Sequence, residues 1–335
     1  MTKSALVLAC DDRFVPYTSV VARGIANHAR ENFSIFVISD RVSDENKKIA
    51  RKFCSRIEFI EASAQLDAAR IRTGGDFLTR AAYLRLLLDE ILLDFDRAVY
   101  LDSDISPLVD LSPLMATVPA SAPIVAMYDL SVMAGMGYAE RLKMSAGSPY
   151  LNSGVMVIDL KAIRAEGMFR AARQYAVDHP ERCLFVDQCA LNAVLDGRWQ
   201  TLDWRWNVMN FMSYRLHETP YIRHFAGNKP WGPIKGDVES VYVRQWQQEL
   251  AASPWPDRFI PAAGNEALHR FLRKRWLVLE DGVKSVFYGN AETKRGNKVR
   301  LATQFPKVMA RISDDANNGR LAARYPETAL LRGLA

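Results

Sequence analysis

The chain has 335 residues, 49% hydrophobic and 24% charged, which supplies an apolar core and excludes disorder as the dominant state. Its formal net charge of +6 favours anionic partners but does not choose among phosphorylated ligands, nucleic acid and acidic lipid. The four cysteines form no C-x-x-C pair, which argues against a zinc site or disulfide framework and favours a reduced, cytoplasmic setting. We expect no signal peptide and no membrane span, because the apolar run 5–9 is short and prolines interrupt the longest uncharged stretch.

Short apolar runs alternate with helical patterns through the first half of the chain. Residues 4–10 are a continuous apolar run, as expected for a buried parallel strand, and 16–28 have helical spacing. Further strands are predicted at 33–39, 57–60, 98–101, 124–128 and 155–160, and further helices at 43–53 and 77–91. The alternation predicts an α/β fold with a mixed, mostly parallel sheet covered by helices on both faces.

The second half is less regular. Helices are predicted at 162–176 and 187–195, an aromatic loop at 204–207 and a short strand at 221–225. From about residue 264 basic and aromatic residues interleave. We therefore predict one domain over residues 1–260 and a basic, partly helical C-terminal extension over 261–335. Two interpretations of the extension stay open: attachment to an anionic membrane surface, or a solvated helix covering the core. Nucleic acid is disfavoured because no binding motif accompanies the charge.

Acidic residues follow three of the predicted strands. Asp11 follows the first, Asp102 and Asp104 follow the fourth, and Asp129 follows the fifth. Open α/β sheets bind ligands at the carboxyl ends of their strands, so we expect these carboxylates to share one site.

Asp102 and Asp104 are the first candidates for metal ligands, because two carboxylates one residue apart can converge on a hard divalent cation. The alternative is a pair of loop acids that cap the next helix. His224 ends a predicted strand, and an imidazole added to two carboxylates suits Mn²⁺ better than Mg²⁺. A lone histidine in such a position is more often a satisfied buried histidine. Gly227 permits close backbone approach, and Lys229 is a point charge suited to phosphate.

Three further polar positions have both a functional and a structural interpretation. Asn152, in the run Asn152-Ser-Gly154, suits sugar hydroxyls or a tight turn before the next strand. Asp187 and Gln188 contact a transferred sugar, or Asp187 merely complements a helix dipole. Arg85 contributes to the site or is only an edge charge on its helix.

Taken together, these motifs resemble glycosyltransferase family 8, the retaining enzymes that include glycogenin and the lipopolysaccharide galactosyltransferases. The resemblance covers about residues 5–231. It rests on Ala9-Cys-Asp-Asp12, Tyr83-Leu-Arg-Leu86, Tyr100-Leu-Asp-Ser-Asp104, Asp129, Tyr150-Leu-Asn-Ser-Gly154, Val186-Asp-Gln188, Trp206-Asn207 and His224-Phe-Ala-Gly-Asn-Lys-Pro-Trp231.

The resemblance implies a GT-A-type, Rossmann-like nucleotide-sugar-binding domain that transfers galactose or glucose from a UDP-sugar to a glycan such as lipopolysaccharide core. It implies Mn²⁺, with Mg²⁺ as the alternative, held by Asp102, Asp104 and His224. The residues it places along the donor are Ala9, Asp11, Arg85, Asp102, Asn152, Gly227 and Lys229. The residues it places at the reacting centre are Gln188, Asp129 and Asp187. It also favours a cytoplasmic protein in peripheral contact with the inner face of the membrane.

Two departures from the family pattern are visible. Arg13 stands where related bacterial enzymes often carry Asn, and one residue separates Gly227 from Lys229 where two are usual.

Two rival functions come from other classes. A haloacid dehalogenase-type phosphatase loosely fits Asp102-Ser-Asp-Ile-Ser106, although its loop follows the first strand of that fold and not the fourth. A non-catalytic sugar-nucleotide-binding protein would keep the fold and lose the metal. A nicotinamide dehydrogenase is disfavoured because the first strand is not followed by G-x-G-x-x-G.

Overall fold

The structure is a computed structural model that describes residues 3–71, 80–119, 122–129, 132, 137–209, 220–227, 229–232 and 240–258. The predicted extension 261–335 lies outside the described residues, so the division of the chain at residue 260 stays a prediction.

A seven-stranded sheet forms the centre of the fold, in the order β3-β2-β1-β4-β7-β6-β8. The first four of these strands in spatial order are mutually parallel, and β7 runs antiparallel to both of its neighbours. The strands are β1 (Ser4–Asp11), β2 (Ile35–Asp40), β3 (Ile57–Glu61), β4 (Arg97–Leu101), β6 (Ile124–Tyr128), β7 (Leu151–Asp159) and β8 (Gln200–Thr201). The predicted α/β class with a mixed, mostly parallel sheet is confirmed.

Helices pack on both faces of this sheet. Within the described residues the α-helices are α1 (Val15–His28), α2 (Asp44–Phe53), α3 (Ser63–Ala68), α4 (Leu88–Ile91), α5 (Ser112–Ala116), α6 (Tyr138–Leu142), α7 (Leu160–Glu166), α8 (Met168–Asp178), α9 (Val186–Leu195) and α10 (Ser240–Ala251). Along β1, Ala5 and Val7 join one apolar cluster and Leu6 and Leu8 join the other. Burial on both faces explains why residues 5–10 of this strand are all apolar.

Two predicted helices differ from the observed ones. A single helix is predicted over residues 77–91. Within the described part of that range, the structure instead has a 3₁₀ helix (Arg80–Leu87) that leads into α4. Most of its residues are buried because it passes between the sheet and α8, so it lacks the solvated face of an amphipathic helix. The helix predicted at 162–176 is divided into α7 and α8 by Gly167, which has a φ of 63°.

Strand β7 begins earlier than predicted, so the interpretation of residues 152–154 as a turn before the strand was wrong. Its pairing with β6 is irregular: Ala126 pairs with Met156, but the next residue, Met127, pairs with Asn152. The register therefore skips residues 153–155, and irregularities of this kind redirect side chains beside binding sites.

A second, three-stranded sheet lies beside the main one, in the order β5-β10-β9. Its strands are β5 (Ile105–Pro107), β9 (Val208–Met209) and β10 (Ile222–His224). His224 pairs with Ile105, the residue after Asp104, so this sheet brings a distant part of the chain to the end of β4. Among the described residues, no helix combines the length and apolar character that crossing a bilayer would require.

Candidate metal and donor site

Three predicted metal ligands converge at the junction of the two sheets. One ligand atom from each of Asp102, Asp104 and His224 lies within 4.8 Å of the other two. The His224 Nε2 atom is 3.3 Å from Asp104 Oδ1 and 3.8 Å from Asp102 Oδ2. His224 and Asp104 are buried, whereas the Asp102 side chain is 23% exposed, which leaves an approach to the cluster.

The backbone explains this convergence. Asp102 follows β4, and its N–H donates to the Gly154 carbonyl of β7. Asp104 precedes β5, and its carbonyl accepts from the N–H of Phe225, directly after β10. A Cβ built on Gly154 would lie 2.8 Å from Asp102 Oδ2 and would overlap the His224 ring, so only glycine fits here.

These donors fit a divalent cation. Two carboxylates and an imidazole are a ligand set that suits Mn²⁺, and Gly154 leaves the space between them clear. Asp102 and Asp104 do not cap a helix, which removes the alternative proposed for them from sequence, since β5 follows Asp104 directly.

Lys229 lies at the same cluster. Its Nζ contacts Asp104 Oδ2, and its side chain is 41% exposed. Burial alone would raise the pKa of Asp104, but the neighbouring Lys229 and His224 side chains outweigh it and hold that pKa well below its usual range. Asp104 is therefore ionised at neutral pH, as a metal ligand must be.

Arg85 connects the cluster to a second acidic residue. Its Nη2 is 3.0 Å from Asp102 Oδ1, and its Nε is 2.9 Å from Asp187 Oδ2. Its Nη1 also donates to the carbonyl and the hydroxyl of Ser153, at 2.7 and 3.0 Å. The guanidinium lies over the Tyr100 ring, 4.5 Å from its centroid. Arg85 is thus a buried residue of the site and not an edge charge.

Asp187 is buried beside this guanidinium. Burial raises the pKa of its carboxyl to about 6, and the attraction of Arg85 opposes part of that shift. Its Oδ2 accepts from the Ser153 hydroxyl at 3.3 Å. Asp187 lies in the first turn of α9, as predicted, and its carboxylate is engaged with residues of the site.

The remaining polar residues form a buried network behind the cluster. Asp129 Oδ2 accepts from Asn152 Nδ2 and from Gln188 Nε2, each at 3.0 Å. Gln188 Oε1 accepts from the Ser153 N–H at 3.1 Å. The structure therefore brings the three predicted reacting-centre residues and Asn152 into one region.

The predicted nucleoside-contacting residues lie at the end of β1. The carbonyl of Ala9 accepts from the hydroxyl of Ser103, between the two aspartates, at 3.1 Å. Asp11 Oδ1 caps a 3₁₀ helix (Asp12–Phe14) by accepting from the N–H groups of Arg13 and Phe14. Gly227 has a φ of 94°, in the region that favours glycine, and stands two residues before Lys229.

Sequence reasoning missed the role of Asn207. It ends a 3₁₀ helix (Trp204–Asn207) and is fully buried. Its Oδ1 lies 2.8 Å from His224 Nδ1, and its Nδ2 donates to Asn152 Oδ1 at 3.0 Å. The only sequence signal was the Trp206-Asn207 pair on which the resemblance partly rests, and it gave Asn207 no partner because the contacts with His224 and Asn152 arise only in the folded chain.

A Rossmann-like sheet of this order, with acidic residues at its carboxyl edge, is a fold of the GT-A type. The family model described as glycosyl transferase family 8 matches residues 5–235, and the chain belongs to that family. The resemblance found in the sequence is confirmed, and the phosphatase and non-catalytic alternatives are not supported.

Two curated relatives and one solved structure show the extent of the similarity. General stress protein A of Bacillus subtilis (strain 168) is 29% identical over 66% of this chain and 83% of its own length. The lipopolysaccharide 1,2-glucosyltransferase of Escherichia coli (strain K12) is 24% identical over 72% of this chain and 75% of its own. The galactosyltransferase LgtC, solved with donor and acceptor sugar analogs, superposes with a TM-score of 0.65 at 24% identity, over 75% of this chain and 96% of that one.

Proposed function

We propose that this chain is a retaining, Mn²⁺-dependent hexosyltransferase that transfers galactose or glucose from a UDP-sugar to a glycan acceptor such as lipopolysaccharide core. The observation that carries the proposal is the convergence of Asp102, Asp104 and His224 within 4.8 Å, between segments 120 residues apart in the sequence. The E. coli relative, named as a lipopolysaccharide glucosyltransferase, supports the acceptor class.

The three converging residues would hold Mn²⁺, with Mg²⁺ as the alternative. Bound there, the cation would act as a Lewis acid and stabilise the negative charge on the diphosphate of the departing UDP. Lys229 is assigned to the same diphosphate, and the support is that its ammonium contacts Asp104 while its side chain is 41% exposed. Gly227 gives the loop before Lys229 the backbone freedom that close approach to a phosphate requires.

Arg85 and its partners would line the donor beyond the diphosphate. Its guanidinium bridges Asp102 and Asp187 and holds both in fixed positions, so the donor would meet preorganised carboxylates. Asn152, Asp187 and Gln188 are assigned to the sugar hydroxyls. Ala9 and Asp11, at the carboxyl end of β1, are assigned to the uracil and ribose.

The orientation of Gln188 supports a front-face route to retention over a covalent intermediate. Its carbonyl oxygen accepts from the Ser153 N–H and its amide nitrogen donates to Asp129, so the oxygen is already engaged. An amide oxygen is also barely basic. On the front-face route the leaving phosphate receives the proton of the acceptor hydroxyl, and Gln188 serves to position the sugar.

We also propose that the protein acts in the cytoplasm, with peripheral contact to the inner face of the membrane. The support is the basic character of residues 261–335 together with the lipid-linked acceptors that the E. coli relative's name suggests.

The test is UDP release from a panel of UDP-sugars, with and without Mn²⁺, by the wild type and by Asp102→Ala and Asp104→Ala. We expect UDP-galactose or UDP-glucose to be hydrolysed only with metal. Each variant is expected to lose at least about 100-fold, because removal of a ligand costs more than the 10–100-fold loss of an outer-shell partner.

Asp94→Ala is the matched control, since Asp94 is exposed and lies outside the site. Rates near wild type in both site variants would refute the metal site. Release of phosphate from phosphomonoesters would point to a different enzyme class.

A further inference from the structure

We propose that two hydrogen-bonded amides, Asn207 and Asn152, fix the tautomer of His224, and that the carboxylate of Asp129 and the N–H of Gly154 together fix the orientation of both amides. The proposal deepens the proposed function, because it explains why His224 would present Nε2, and not Nδ1, to the cation. Asn207 is on this account a positioning residue that acts through His224.

The hydrogen-bonded network begins at Asp129, whose carboxylate oxygens accept hydrogen bonds. Its Oδ2 receives Asn152 and Gln188 at 3.0 Å each, and its Oδ1 receives the N–H of Val132 at 3.2 Å. Asn152 must therefore turn its amide nitrogen toward Asp129, since the opposite orientation would place a carbonyl oxygen against a carboxylate. The Asn152 carbonyl oxygen then points the other way.

That oxygen meets two donors. Asn152 Oδ1 accepts from the Gly154 N–H and from Asn207 Nδ2, both at 3.0 Å. The backbone N–H of Gly154 can only donate, so it fixes the orientation of Asn152 independently of Asp129. Asn207 must consequently direct its nitrogen to Asn152 and its oxygen to the remaining neighbour.

The remaining neighbour is the imidazole of His224. Asn207 Oδ1 lies 2.8 Å from Nδ1, and a carbonyl oxygen can only accept, so the proton of the neutral ring is on Nδ1. The lone pair is then on Nε2, the atom that faces Asp104 at 3.3 Å and Asp102 at 3.8 Å. A metal-bound histidine needs this arrangement, because the other ring nitrogen donates to an outer-shell acceptor.

Burial makes this hydrogen-bonded network select one orientation of each amide. Asn207, His224, Asn152 and Asp129 are 0, 2, 4 and 6% exposed, so solvent does not readily replace a missing partner. In a buried network the wrong orientation of any one amide leaves unpaired groups. The carboxylate of Asp129 and the N–H of Gly154 thereby decide together which ring nitrogen of His224 keeps its lone pair.

The first measurement reads the tautomer directly in the metal-free, full-length protein. The ¹⁵N-labelled wild type is studied by long-range ¹H–¹⁵N correlation, at a pH raised until the ¹⁵N shifts of His224 show one protonated and one unprotonated ring nitrogen. His224→Gln identifies the resonances. We expect a protonated, pyrrole-type Nδ1 and a pyridine-type Nε2.

The second measurement compares two variants for tautomer, Mn²⁺ affinity and thermal stability. Asn207→Leu removes the acceptor, and we expect loss of the single tautomer together with a 10–100-fold loss of affinity. Asn207→Asp still accepts from Nδ1 but places an oxygen against Asn152 Oδ1. We expect it to lose stability while it keeps the wild-type tautomer and loses less than about 10-fold in affinity, the lower limit for an outer-shell partner.

A purely structural network predicts a different pattern, in which metal affinity follows stability in both variants. Nε2–H as the main tautomer of the wild type overturns the proposal at any metal affinity, even if Asn207→Leu fails to fold. Equal tautomer and affinity in Asn207→Leu and wild type also overturn it. The expected tautomer in a wild-type protein that binds no Mn²⁺ would support the orientation of His224 and refute the proposed function instead.

Discussion

Gly154 has no room for a side chain, and the reason is the candidate metal site itself. A Cβ at this position would lie 2.8 Å from Asp102 Oδ2 and closer still to the ring of His224. Neither neighbour is the free end of a flexible side chain, because Arg85 holds Asp102 and Asn207 holds His224. An added methyl group must therefore displace a ligand.

We accordingly expect Gly154→Ala to lower Mn²⁺ affinity by at least about 10-fold, comparable to the loss of an outer-shell partner, with activity falling in proportion. Isothermal titration of metal into the purified variant measures this. Gly24→Ala, in α1, is the matched control: its Cβ would meet Pro107 at 3.2 Å, away from the ligands. Wild-type affinity in Gly154→Ala would show that the cation binds elsewhere.

Gly154 also shows what could be predicted at the scale of single residues. Each ligand was found in the sequence, because acids after apolar strands and a histidine at a strand end are visible locally. The need for glycine was not, since it arises where β4, β7 and β10 approach one another. Asn207 was missed for the same reason: its partners, His224 and Asn152, come from other segments.

At the scale of elements, the sequence predicted the buried strands well and the irregular ones poorly. The predicted strand 124–128 is observed as β6 without change, because an uninterrupted apolar run between polar residues leaves little choice of boundaries. Strand β7 starts at Leu151, four residues before its prediction, because Asn152, Ser153 and Gly154 look like a turn. Their place in the strand depends on pairing with β4 and β6, which local propensity does not encode.

Glu61, at the end of β3, connects several elements and makes their stability depend on pH. Its carboxylate accepts from the N–H of Arg41 at 3.0 Å, from Lys47 Nζ at 3.1 Å, from Ser39 Oγ at 3.0 Å and from Ser63. Partial burial alone would raise the pKa of Glu61, but these hydrogen bonds outweigh it and lower the pKa to about 2.

The lowered pKa of Glu61 determines how the stability of the folded protein changes with pH. The folded state binds the Glu61 proton more weakly than the unfolded state, whose pKa is near 4.5, so the ionised group stabilises the fold above that pH. This contribution is lost as the pH falls from about 4.5 to about 2. We expect Glu61→Gln to have a lower melting temperature than wild type at pH 7, and the difference to shrink through that window.

Thermal unfolding followed by circular dichroism across the pH range tests this. Glu31→Gln, at an exposed position, is the control and should follow wild type throughout. A difference between Glu61→Gln and wild type that stays constant from pH 7 to pH 2 would contradict the assignment.

At the scale of the whole molecule, the positive charge is unevenly distributed. Residues 261–335 contain 14 Lys and Arg against seven Asp and Glu, so the extension accounts for the net charge of +6 and the preceding 260 residues are close to neutral. A near-neutral sequence over residues 1–260 followed by a basic segment is the charge distribution expected of a protein held at an anionic surface. A merely solvated helix does not require this segregation.

The two interpretations of the extension predict different effects on membrane binding when basic residues are removed from it. Arg273, Lys274 and Arg275 changed together to Gln lower the formal net charge from +6 to +3. Each basic residue near an anionic surface contributes about 1 kcal/mol, so binding should weaken by roughly 100-fold if all three contact lipid. The control variant changes Lys48, Arg51 and Lys52 on α2, which gives the same net charge in the described domain.

Flotation with vesicles that contain or lack anionic lipid measures the binding, and UDP release in solution confirms that both variants keep the site. We expect the wild type and the α2 variant to float with anionic vesicles at low salt, and the extension variant to stay in the soluble fraction. Since screening shortens the reach of these charges, the wild type should also be released as the salt concentration rises. Equal flotation of the two variants would mean that net charge alone governs the contact, and the extension would then be a solvated part of the surface.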